Sequence, residues 1–89
     1  MAIIEKKIPI EWFDLVNSNK KRFELRLNEF DIKEGDILVL KEWDSKKKEY
    51  TGRKIEREVD YILDFKLNTF GQEEEIKKKG LLVIQFKNN

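Results

Sequence analysis

Three ionisable residues in one short run carry the chain's clearest chemical signal. Asn19-Lys20-Lys21-Arg22-Phe23-Glu24-Leu25-Arg26 sets Lys21, Glu24 and Arg26 at intervals of three and two. On an extended strand, Glu24 and Arg26 share one face about 7 Å apart, and Lys21 stands at the strand's mouth, able to swing towards them. That set offers one acceptor and two cationic donors. Arg26 can hold a phosphate or a base edge with its planar fork, Glu24 can accept from an exocyclic amine, and Lys21 can pair with a phosphate as a point charge. The same residues can also form an ion pair under a neighbouring helix, worth about 0–1 kcal/mol at a surface. The residues alone leave both readings open.

Two other groups bear on a charged or stacked ligand. Lys46, Lys47, Lys48, Arg53, Lys54 and Arg57 cluster between residues 45 and 57 against Glu49 and Glu56. Arg53, beside Gly52, can reach a phosphate, and Arg22 is a further ligand-binding candidate. Trp43 and Tyr50 flank the lysine run and can stack on unpaired bases or close a hairpin as a cross-strand pair. With a formal net charge of +1, the chain is not a general polyanion coat, so any nucleic-acid surface must be local.

Other chemistries are excluded or unsupported. There is no His, which removes imidazole acid–base catalysis and the Ser-His-Asp arrangement. There is no Cys either, so no disulfide framework and no zinc site is expected; although a carboxylate-only Mg²⁺ site stays open on the residues alone, we expect no metal and no cofactor. The run Glu73-Glu74-Glu75 points in several directions and reads as solvated. The four glycines are dispersed and form no phosphate loop. No apolar stretch approaches the ~20 residues that span a bilayer, and residues 1–8 do not read as a secretory signal, so a cytoplasmic protein without membrane attachment is expected.

The elements that must position these residues follow from periodicity. Residues 2–8 read as a strand. Pro9 then opens a short helix over 10–18, with Trp12, Phe13, Leu15 and Val16 supplying its apolar face. Residues 22–27 alternate cleanly: Phe23, Leu25 and Leu27 against Arg22, Glu24 and Arg26. A turn over 28–35 precedes a third strand at 36–43, whose near-continuous apolar run marks it as central. Residues 44–52 read as a hairpin connection, 53–65 as a long fourth strand, 66–80 as a loop or short charged helix, and 81–86 as a closing strand. With 89 residues the chain makes a single domain, residues 1–89. The order predicts an α+β fold, mainly β: a small five-stranded barrel with one N-terminal helix over an opening.

Lys21-x-x-Glu24-x-Arg26 after a short helix, followed by a turn ending Gly35-Asp36 and an apolar strand, resembles the ASCH signature Gly-x-Lys-x-x-Glu-x-Arg. Leu40-Lys41-Glu42-Trp43-Asp44 and Glu49-Tyr50-Thr51-Gly52-Arg53 further resemble a compact ASCH-like family of unknown function found in phages and their bacterial hosts. The resemblance runs from about Ile4 to Phe86. It implies a PUA-like barrel and an RNA- or nucleotide-binding cleft beside the helix, lined by Lys21, Glu24 and Arg26. The signature's leading Gly is Asn19 here, a residue that tolerates the left-handed conformation. Some ASCH relatives are N-acetylcytidine amidohydrolases with a Thr nucleophile; Glu24 occupies that position here, so deacetylation is not expected. A metal-independent ribonuclease or nucleoside-modifying hydrolase, with Glu24 as base and Lys21 or Arg26 stabilising the charged phosphorane, is the alternative. A protein-interaction module, for example between phage and host, is the other alternative.

Overall fold

A computed structural model describes residues 1–69 and 71–87. Its elements run β1 (Ile3–Pro9), α1 (Ile10–Asn17), β2 (Ile37–Asp44), β3 (Glu49–Glu58) and α2 (Glu73–Lys79). The strands form one open mixed sheet in the order β1-β2-β3, with β1 parallel and β3 antiparallel to β2. A parallel pair cannot be closed by a tight turn, so α1 and the long segment 18–36 carry the chain back from the end of β1 to the start of β2.

Each side of the sheet reads directly off the alternation. Ile4, Lys6 and Ile8 of β1 sit in register with Leu38, Leu40 and Glu42 of β2, facing α1. Ile8, Phe13, Val16, Leu38, Leu40 and Ile55 form the core, with Ile4, Ile32 and Val59 packed against it. Ile8 and Leu40 are 0% and 1% exposed. The helix buries only Phe13 and Val16, three positions apart, and leaves Trp12 half exposed on its flank. A helix of eight residues is marginal by itself, so this packing is what sustains it.

The expected β-rich α+β class is observed, but the closed five-stranded barrel is not: three strands are present among the described residues. Residues 22–27 and 81–86, expected as strands, make no ladder. Side chains join them instead. The Gln85 amide accepts from the Arg22 N–H and donates to the Lys20 carbonyl, and the Arg22 guanidinium donates to the Phe86 carbonyl. Alternation assigns faces to an extended segment; it does not supply a partner backbone.

The long fourth strand is also shorter than expected at its far end. Glu58 pairs with Ile37, the first residue of β2, and beyond Val59 no neighbouring strand remains to bond with. At its near end β3 starts earlier, at Glu49, because Asp44–Glu49 and Trp43–Tyr50 are in register. The connection shrinks to residues 45–48. There the Asp44 carboxylate accepts the Lys46 and Lys47 N–H groups, and Lys48 takes φ 55°. The charged segment near the C-terminus does form a helix, α2, with Glu75–Lys79 and Glu73–Lys77 ion pairs at 2.9 and 3.8 Å on the i,i+4 spacing.

Candidate functional site

The turn that ends α1 places Lys21. Asn19 adopts φ 64°, the left-handed conformation that helix ends require, and the chain folds back so that the Lys21 N–H donates to the Leu15 carbonyl at 2.8 Å. Asn thus performs the conformational task of the signature's glycine. Lys21 then stands beside α1, its amine 5.4 Å from the Trp12 ring centroid and 4.7 Å from that of Phe23.

From there the segment brings Lys21, Glu24 and Arg26 into one triad. Lys21 Nζ donates to Glu24 Oε1 at 3.0 Å, and Arg26 Nε donates to Glu24 Oε2 at 2.9 Å. Lys21 also donates to the Phe23 carbonyl at 2.9 Å. The side chains are 15%, 16% and 29% exposed for Lys21, Glu24 and Arg26, so the triad is partly shielded and its outer rim is Arg26. Arg26 completes its contacts by donating to the main-chain carbonyl of Lys7 on the edge strand β1. Both Glu24 oxygens are held by cations, and of the three side chains it is Lys21 whose amine lies over the Trp12 ring.

The remaining candidates are elsewhere. Arg22 donates to the Asn19 carbonyl in the turn after α1 and to the Phe86 carbonyl of the C-terminal segment, and stands outside the triad. Trp43 and Tyr50 pack edge to face across the β2–β3 ladder, centroids 4.9 Å apart, with the Lys7 amine 3.8 Å from the Trp43 ring. Arg53 belongs to a separate cluster. Its guanidinium donates to both oxygens of Glu42, at 2.9 and 2.7 Å, and to Asp14 at 3.2 Å, while lying over the Phe13 ring.

Glu42 is the unexpected member of that cluster. It is 2% exposed, and Thr51 donates a further hydrogen bond to it. The Arg53 hydrogen bond, helped by Thr51, holds the Glu42 carboxyl below its ordinary range against the opposing effect of burial. Reciprocally, Arg53 holds its proton more tightly than usual. The signal was present in the sequence: Leu38, Leu40 and Glu42 share one face of β2, so Glu42 is a charge on an inward position. Trp12 and Lys7 were also missed as site neighbours, because only the tertiary fold brings α1 and β1 to the motif. Among the described residues, no group of three or more acidic side chains is placed to hold a metal ion. No helix among them is long and apolar enough to cross a membrane.

The geometry defines a small, mainly β domain with a charged triad held against the edge of an open sheet. Residues 3–76 match the family described as a domain of unknown function, DUF3850, and the chain belongs to that family. It is similar to an uncharacterized 12.9 kDa protein in the GpA 3′ region of Escherichia phage P2, with 39% identity over 62 residues, 70% of this chain and 55% of that protein. The chain therefore spans about half the length of that relative. The matched span includes the triad, both aromatic residues of the hairpin and all three strands.

Proposed function

We propose that the domain binds RNA or a nucleotide at the cleft between α1 and the motif segment, as a compact ASCH-like member of the PUA-like group. One observation carries the reading: Lys21, Glu24 and Arg26 close into a single ion triad beside Trp12, a ring that is 51% exposed. An exposed aromatic offers a stacking face, and bases stack on such faces with about 1–3 kcal/mol each. Beside it, Glu24 offers acceptor oxygens for an exocyclic amine, and the Arg26 and Lys21 cations suit a phosphate. Salt-linked side chains cost little to hold in place once the triad is formed, so the site is preorganised for a charged ligand.

Titration with nucleoside monophosphates and short single-stranded RNA, followed by tryptophan fluorescence, tests this. Binding is expected, weakened about tenfold or more by Arg26→Ala, in keeping with loss of a charge-assisted contact. Unchanged affinity in Lys21→Ala, Glu24→Gln and Arg26→Ala together would sink the cleft. Turnover of RNA by the parent protein that vanishes in Glu24→Gln, with binding retained, would convert the reading to the hydrolase alternative. A protein partner is the second reading, favoured by the exposed apolar side chains of Leu82, Ile84 and Phe86.

A further inference from the structure

The sheet face turned away from α1 carries an ordered arrangement that the cleft does not use. Lys7 pairs in register with Lys41, and Lys41 with Lys54, so one lysine from each strand stands in a single row across the sheet. Like charges directly opposite one another destabilise a sheet, and such a row is a cost the free protein bears. The next row is Pro9, Trp43 and Tyr50, two residues further along β1 and β2, about 7 Å away there, and four residues back along β3, where the ladder is irregular between Lys41 and Trp43. The amines of Lys7 and Lys41 lie 5.8 and 4.8 Å from the Tyr50 ring centroid, converging on one place. A shallow hollow of about 370 Å³ opens at this edge of the sheet, lined by Glu5, Lys7, Lys41 and Tyr50 of the outer face and by Lys6 of the edge strand β1. On the other side of the lysine row stand Glu5 and Glu56, in register with Val39 between them. Only Glu5 reaches a lysine of the row among the described residues, at 3.9 Å from Lys41, and it is 60% exposed and free to swing away.

From this juxtaposition we infer that the lysine row and the Trp43–Tyr50 row together form a track for a single strand of nucleic acid crossing the sheet. Phosphates lie along Lys7, Lys41 and Lys54, and a base stacks at Trp43, where the Lys7 amine now sits on the ring. Charge complementarity selects the occupant: a polyanion relieves the repulsion within the row, and the adjacent aromatics suit unpaired bases rather than a duplex. Lys7 links the track to the cleft, since its side chain belongs to the row while its carbonyl accepts from Arg26. The inference thus deepens the proposed function by extending it from one nucleotide to a strand.

The probes are 5′-UMP, which fits the cleft alone, and decauridylate, which fits cleft and track. Both are titrated over a tenfold range of KCl. The parent protein is expected to bind decauridylate more tightly than 5′-UMP. The double variant Lys41→Gln/Lys54→Gln is expected to lose roughly 20-fold in decauridylate affinity near 0.1 M salt and to flatten the salt slope by about 1.4, the single-strand value for two phosphates. Its 5′-UMP affinity should not fall, and its Tm should change little, because relief of the like-charge neighbours offsets loss of the exposed Lys41–Glu5 pair and the Lys41–Tyr50 ring contact. Glu5→Gln should tighten decauridylate binding. Arg26→Ala separates the two readings: if 5′-UMP affinity is untouched by it while the lysine variant still weakens decauridylate, the track stands and the cleft falls. Parental affinity and slope in the lysine variant, decauridylate no tighter than 5′-UMP, or no binding of either would overturn the track.

Discussion

The Arg26 guanidinium donates to the main-chain carbonyl of Lys7 at 2.6 Å, and this bond ties the signature segment to the sheet. Residues 22–27 make no ladder with β1, so a side chain does what a strand pairing would have done. Arg26 spans Glu24 and Lys7 at once, and a shorter or uncharged side chain cannot do both.

Arg26→Ala is therefore expected to release residues 20–28 from β1 while leaving the core intact. The stability loss should be modest, at or below the about 1.5–3 kcal/mol that hydrogen bonds to a charged group contribute, because Arg26 is partly exposed to solvent. Urea unfolding measures the loss, and amide exchange locates it: faster exchange confined to this segment is expected. Uniformly faster exchange across β1 and β2 would show that Arg26 holds the whole sheet.

The Glu42–Arg53 pair behaves differently because one partner is buried. Glu42 is 2% exposed in the parent, and Arg53→Ala leaves its carboxylate with only the Thr51 hydroxyl as a side-chain donor among the described residues. Stranding a buried charge costs more than removing it. Arg53→Ala should thus lower Tm more than Glu42→Gln does, and adding Glu42→Gln to Arg53→Ala should recover part of the loss. Thermal melts of the three variants check the order; equal losses in the two single variants would contradict it.

Acid sensitivity has two identified sources. The Asp36 carboxylate accepts the Ala2 and Lys33 N–H groups, which hold it below its ordinary value of 3.8, and Glu42 is held below 4.5 first by Arg53. A carboxyl whose folded value is depressed adds stability that is fully present above its unfolded value and is lost as pH falls through the folded one. Stability should be flat with respect to these two groups above about pH 5 and fall as pH drops through and below 4. Chemical denaturation between pH 3 and 7 reads the slope, and Asp36→Asn should flatten it. An undiminished slope in both Asp36→Asn and Glu42→Gln would assign the acid transition to other carboxyls.

The core leaves little margin. Ile8 and Leu40 are fully buried, and truncation of such a side chain to Ala costs about 2–5 kcal/mol. A domain of this size holds roughly 3–5 kcal/mol in total. Leu40→Ala is thus expected to be largely unfolded at 25 °C, with far-UV circular dichroism showing loss of sheet signal. A cooperative melt near the parental Tm would mean that the small core can collapse around the cavity.

Much of this architecture is legible in the residues themselves. The alternation in β1, the apolar run of β2, Pro9 ahead of Phe13 and Val16, and the acid-before-base spacing of α2 each name an element, because burial of one face imposes a period on the chain. The motif that supplies the triad is likewise local, with all three residues within six positions. Pairing is not local. The clean alternation of Phe23, Leu25 and Leu27 described a strand equally well with or without a partner. Only the register of β2 with β3 decided that pairing stops at Glu58 and that the barrel stays open. The same holds for the charges. Glu42 became a buried anion because Arg53 arrives from β3, and Lys7, Lys41 and Lys54 became a row because β1 runs parallel and β3 antiparallel to β2. The sequence determined which residues carry charge and which face of each strand they occupy; the tertiary structure decided which charges meet, since that depends on backbone hydrogen bonds between segments far apart in the chain.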